Sequence, residues 1–215
     1  MSEVETSSTV ALAAAAAAGR KRPKPGERRV QILRALADML ERPGAERITT
    51  AALAARLGVS EAALYRHFAS KAQMFEGLIE FIEQSVFTLV NQVTERDMPG
   101  PEQAARVVAL LLQFAEKNPG MTRVMAGDAL VFEHERLQQR MNLFFDKIEA
   151  ALRQCLREAT ADAPPNANAS TAVQVQAGVL VMFAMGRLQR FARSGFKRQP
   201  TEHLEASLAL LLSGG

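Results

Sequence analysis

The chain has 215 residues, 48% hydrophobic and 23% charged, with a net charge of +3 and a single cysteine, Cys155. That is enough apolar material for a real core, in one large domain or in a small domain beside a larger one. One cysteine excludes an intramolecular disulfide and suits a reducing cytoplasm, and no uninterrupted apolar run reaches the roughly 18 residues of a membrane span.

Residues 1–26 read as a disordered, Ala-rich and basic tail, broken by prolines and glycines and without apolar anchors. Leu12 to Ala18 has the composition of a signal-peptide core. Glu3 and Glu5 precede it, however, and the basic residues follow it, which is the reverse of a signal's order.

From about Glu27 the pattern is helical throughout, without strand-like alternation. A first helix over about 27–42 carries Val30, Leu33, Ala37 and Leu40 inward, widened by Ile32, Leu36 and Met39, and Pro43-Gly44 ends it. The second starts at Thr49 or Thr50, either able to cap it, and runs to Leu57. Gly58 supplies a tight turn and Ser60 the next cap, and the third helix runs to about Phe68. Ser70 and Gln73 have the spacing of a capping box for a fourth helix reaching about Thr94. Its inward stripe is Phe75, Leu78, Ile79, Ile82, Val86 and Val93, with Met74 and Phe81 on an apolar flank.

After the linker at 97–101, a fifth helix over about 101–118 is apolar around more than half its circumference, as a central helix must be. A shorter helix at about 121–131 and a long one at about 134–159 follow, then a flexible connection at 163–169. The last two helices cover about 170–194 and 201–212. In the first of these, Gly178 and Gly186 beside Ala177 and Ala184 let another helix approach closely, and a second copy of the chain is the natural partner. The fold class is all-α, about nine helices: an N-terminal helix-turn-helix domain at 27–71 and a helical core and dimerisation domain at 72–215.

Residues 47–71 carry the functional signal. Leu53, Leu57, Val59, Leu64 and Phe68 turn inward to hold two short helices together. Ser60, Glu61, Ala62, Tyr65 and Arg66 are left on the outer face of the second, the geometry that enters a DNA major groove. Ala62 and Ala63 are small enough to bring that helix close and to meet a thymine methyl, and Ser60 reaches a base edge or a phosphate. Tyr65, His67 and Lys71 suit phosphate positioning, as do the amides around Thr49 and Thr50. Arg66 faces DNA or solvent, and the sequence leaves both open. Residues 20–71 hold twelve Lys/Arg against five Asp/Glu, so positive charge is concentrated where phosphate attraction needs it. The cluster Arg20, Lys21, Arg22 and Lys24 is either a solubilising tail or an arm on the DNA backbone.

Gly58-Val-Ser-Glu-Ala-Ala-Leu-Tyr-Arg-His-Phe-Ala-Ser-Lys71 resembles the DNA-binding domain of TetR-family regulators, and the all-helical layout matches. Further blocks resemble the nucleoid occlusion branch of that family: Arg47-Ile-Thr-Thr-Ala51, Leu78-Ile-Glu-Phe-Ile-Glu83, Asn118-Pro-Gly120, Phe132-Glu133 and Phe196-Lys-Arg-Gln-Pro-Thr201. The resemblance implies a homodimer, or a higher-order assembly of it on DNA, at palindromic chromosomal sites. It also implies contact with the C-terminal tail of the division protein FtsZ, in a groove along the fourth and fifth helices. In that groove the resemblance points to Phe81, Leu110, Lys117 and Asn118. Leu89 and Gln113 depart from it, since the branch implies Arg and Gly there.

A TetR-type repressor released by a small molecule is the main alternative, and it would need a cavity within the fifth to eighth helices. An enzyme is not expected, nor is any cofactor, metal or membrane association. His67, His134 and His203 lack metal-ligand spacing, Glu133-His134-Glu135 reads as a solvated helix start, and no phosphate loop or nucleophile motif is present.

Overall fold

The computed structural model describes residues 26–42, 48–158 and 167–213. The tail over 1–25, the stop at Pro43-Gly44 and most of the 163–169 connection lie outside the described residues. Among these residues the chain forms nine α-helices, one 3-10 turn and no strand. The helices are α1 (Glu27–Leu40), α2 (Thr50–Leu57), α3 (Glu61–Tyr65), α4 (Lys71–Thr94) and α5 (Gly100–Lys117). They continue with α6 (Pro119–Met125), the 3-10 turn Asp128–Leu130, α7 (Glu135–Glu158), α8 (Ala167–Arg193) and α9 (Leu204–Leu212).

Chain contacts separate residues 1–31 from 32–215. The described part of the first unit is the opening of α1, where the Val30 amide donates to Gly26 O. Val30 is 46% exposed, so it does not belong to the buried stripe expected for this helix. The buried stripe is Ile32, Ala35, Leu36, Ala37 and Leu40, with Leu33 half-buried.

The second unit is built on local caps. Thr49 is extended and its hydroxyl accepts the Ala52 amide, while Gly58 closes α2 in the left-handed region at φ 64°, where a Cβ would be strained. Ser60 accepts the Ala63 amide at the start of α3. This helix stops three residues earlier than expected because the His67 and Phe68 amides both turn onto Leu64 O. Ser70 accepts the Gln73 amide to start α4, and the Gln73 side chain accepts from Ala69 N instead of Ser70 N, so the capping box is displaced by one residue.

In the body, α5 packs against α4, α6, α7, α8 and α9. It buries Ala104, Val107, Val108, Leu111, Leu112 and Ala115, as its apolar circumference requires. The α4 stripe is buried as expected. Met74, placed on the flank with Phe81, is fully buried, whereas Phe81 is 47% exposed. Backbone meets backbone at Gly120 of α6, where a Cβ would lie 2.0 Å from Ala37 O of α1. Gly127, at φ 84°, stops α6 short of the length expected. Helix α8 begins earlier than expected, at Ala167. Helix α9 begins later, because His203 takes the left-handed region at φ 52°.

Three ion pairs fasten α4 to the start of α7: Lys71–Glu133, Arg136–Glu76 at 2.6 Å and Arg140–Glu83 at 2.6 Å. The hydrogen bond that Arg140 donates to Glu83, outweighing burial, raises the Arg140 pKa above its ordinary value. Helix α8 has the length and composition of a membrane span over Ser170–Arg193. It nevertheless packs on α5, α6, α7 and α9, burying Ala177, Leu180, Val181, Ala184 and Leu188. Its other face leaves Val175, Val179 and Met182 exposed, as is Leu143 on α7, and Gly178 and Gly186 open onto empty space.

Candidate nucleic-acid interface

The two short helices α2 and α3 touch each other across the Gly58 turn. Leu53, Leu64 and Phe68 are buried, and Leu57 and Val59 are half-buried against them. That packing leaves Thr49, Ser60, Glu61, Ala62, Tyr65 and Arg66 exposed, with Thr50, Ala63, His67 and Lys71 half-buried.

Several of these ten residues come together. The Thr50 hydroxyl donates to the Glu61 carboxylate at 2.5 Å, and the Tyr65 hydroxyl lies 3.5 Å from Thr50 Oγ1. Thr50, Glu61 and Tyr65 thus form one surface across the start of α2 and the length of α3. Glu61 accepts there from Thr50, a bond that ties α3 to the start of α2. Lys71 differs from the sequence reading. It donates to Glu133, 62 residues away, and sits over the Phe75 ring at 5.7 Å, so its cation is already engaged by the body. Thr49 and Ser60 spend their side-chain oxygens on caps, and their outward presentation follows from the extended backbone a cap adopts. The result is a compact polar face with two small alanines at its centre, able to lie close against a groove floor.

A second feature lies on the body. Helices α4 and α5 enclose a cleft of about 260 Å³ lined by Leu89, Gln92, Val93, Arg96, Arg106, Ala109, Leu110 and Gln113. Of the four partner residues expected, only Leu110 lines it. Phe81 is exposed further down α4, Lys117 is exposed at the end of α5, and the Asn118 amide donates to Phe114 O as part of the helix end. Sequence reasoning missed Arg96 and Arg106. The signal was available, because a five-residue connection folds α5 back along α4 and sets their facing residues side by side. Leu89 and Gln113, the two positions departing from the expected pattern, both line this cleft.

An all-helical chain with a capped helix-turn-helix at its N-terminal end has the architecture of a TetR-type DNA-binding regulator. Residues 32–78 match the family of bacterial regulatory proteins of TetR type, and residues 103–214 match the tetracyclin repressor-like C-terminal domain of SlmA-like proteins. The fold resembles FadR from Bacillus subtilis, solved in complex with stearoyl-CoA, with a TM-score of 0.69 at 17% identity, over 86% of this chain and 98% of that one. The nucleoid occlusion factor SlmA of Idiomarina loihiensis is 51% identical over 83% of this chain and 90% of its own length. That of Vibrio vulnificus is 51% identical over 87% and 95%. The chain belongs to the SlmA family, a family of DNA-binding regulators and not of enzymes.

Proposed function

We propose that the protein is a nucleoid occlusion factor: a homodimer that binds palindromic chromosomal sites, engages the FtsZ C-terminal tail and antagonises division-ring assembly over the chromosome. Residues 27–71 act as the DNA-reading part and 72–215 as the body, placing the protein on the nucleoid in the cytoplasm. The observation that carries this reading is identity of about half to nucleoid occlusion factors over a stretch that includes both the reading face and the α4–α5 cleft.

Thr49, Thr50, Ser60, Ala62, Ala63, Tyr65, Arg66 and His67 meet the duplex, with Glu61 bracing Thr50. The Lys71–Glu133 pair ties the start of α4 to the body, and Lys71 meets phosphate while paired there or by exchanging that partner. Dimerisation through α8 is supported by the exposed Val175, Val179 and Met182, which a second copy would cover. An acidic-apolar tail suits the α4–α5 cleft, with Leu110 and Leu89 as its apolar floor, Arg96 and Arg106 at its rim, and Phe81 and Lys117 extending the contact along the helices.

The test is capture of the full chain by immobilised FtsZ tail peptide, with and without specific duplex. Retention that rises with the duplex is expected. Absence of retention in both arms removes the FtsZ half of the reading and leaves the DNA half standing.

One observation favours ligand release as a second reading: a groove of about 890 Å³ between α5 and α9, walled by Ala105, Ala109, Leu204, Leu208 and Leu212. It is open to solvent, whereas the apolar residues of α5 through α8 form one buried cluster. A small molecule that displaces the protein from DNA would establish this second reading.

A further inference from the structure

The connection from α8 to α9 is built more carefully than a surface loop needs. Gly195 and Phe196 follow each other in the left-handed region, at φ 61° and φ 65°, and Phe196 holds a conformation that side-chain-bearing residues rarely adopt. Three contacts keep it there. Its ring packs edge-on against Phe191 with centroids 5.1 Å apart, the Arg123 guanidinium lies 5.3 Å from the ring centre, and its amide donates to Phe191 O. The Ser194 hydroxyl accepts the amides of both Lys197 and Arg198, at 3.1 Å and 2.9 Å, fixing the backbone beneath these two residues. A non-glycine outlier held by so many contacts points to a functional constraint on what the turn displays.

It displays charge. Arg190, Arg193, Lys197 and Arg198 are all exposed, and none is in an ion pair among the described residues. No acidic residue occurs between Arg187 and Glu202. The helix dipole alone favours Arg190 and Arg193 at the end of α8. It does not account for Lys197 and Arg198, which lie beyond the helix.

The turn also sits at a defined end of the body. Helix α6 abuts α1 at Gly120, and Arg123 of the same helix covers Phe196. Thr201 donates to Glu116 near the end of α5, and α4 leaves the helix-turn-helix at this same end, where Lys71 meets Glu133. Lys197 and Arg198 are therefore carried on the end of the body that adjoins the reading helices.

We propose that this turn is a second, sequence-independent DNA contact, in which Lys197 and Arg198, backed by Arg193, meet phosphates flanking the duplex held by α2 and α3. The proposal rests on the DNA-binding reading above. A bilayer would call for exposed apolar anchors beside the cations, and Phe196 is half-buried under Arg123. An acidic peptide would call for an apolar groove, and Gly195, Lys197, Arg198 and Gln199 are exposed polar or small residues. Phosphate needs only fixed cations, and each phosphate neutralised adds about 0.9 to the salt slope of binding.

The experiment measures binding of the full chain and of its Lys197→Gln/Arg198→Gln variant to specific and to scrambled duplex across a salt series. The expected result is a three- to tenfold loss at low salt on both duplexes, and a salt slope shallower by about 1–2 per protomer. A Lys197→Arg/Arg198→Lys variant should restore both. Wild-type binding with an unchanged slope in the Gln variant overturns the proposal, as does a loss confined to FtsZ tail peptide or to anionic phosphatidylserine vesicles. Absence of duplex binding by the wild-type chain overturns the DNA-binding reading instead.

Discussion

The α2–α3 pair and the outer face of α8 are both exposed, and they are exposed for opposite reasons. The first is polar and small, and it is held by capping bonds and by the Thr50–Glu61 bond, with little buried beyond Leu53, Ala54, Leu64 and Phe68. The second is apolar and rests on a deep core, yet leaves Val175, Val179 and Met182 in water. A polyelectrolyte is gripped by charge and hydrogen bonds at fixed positions, so the reading face needs rigidity more than area. On the proposed reading, a second copy of the chain is gripped by the removal of apolar surface from water, so the α8 face would need area and close approach, for which Gly178 and Gly186 leave room.

The largest expected effect comes from reversing the chemistry of the apolar face. Val179→Glu with Met182→Glu should place unpaired charge in the interface between copies, at a cost on the order of several kcal/mol. Sedimentation at micromolar concentration should then show monomer, and a persistent dimer would mean that α8 is not the interface. On the reading face, Tyr65→Ala or Thr49→Ala should weaken binding to a specific duplex by about 1–3 kcal/mol at matched salt while the dimer survives. Unchanged affinity in both variants would remove these residues from the interface. Phe81→Ala or Lys117→Glu should leave duplex binding intact and weaken FtsZ tail-peptide binding by about 1 kcal/mol or more, read by fluorescence anisotropy. Loss of duplex binding in both would show that these positions support the fold. The smallest effect is expected of Thr50→Val, which removes the bond to Glu61 and should lower stability by about 0.5–1.5 kcal/mol in a urea titration. Raising salt sharpens the contrast further, since duplex affinity should fall steeply while the α8 interface holds.

The parts of the site legible in the sequence were those decided within a few residues. Ser60 and Ser70 were readable as caps, and the cap of α2 as Thr49 or Thr50, because a hydroxyl reaches an amide only three positions on, and Gly58 because the turn needs a left-handed residue; the structure selects Thr49. The buried stripe of α4 followed from its period. The period could not separate Met74 from Phe81, since both lie off the stripe, and only the crossing of neighbouring helices decided that the first is covered and the second is not.

By itself, then, the amino-acid order determined an all-helical chain with a capped helix-turn-helix near its N-terminal end, because helix signals and turn chemistry act over one or two turns. Tertiary structure alone decided that Lys71 is held by Glu133, that Arg96 and Arg106 converge on one cleft with Leu110, and that Phe196 is pinned beneath Arg123. Each of these joins residues of different helices or of the connections between them. Their meeting depends on how whole helices cross and stack, and no spacing along the chain encodes that.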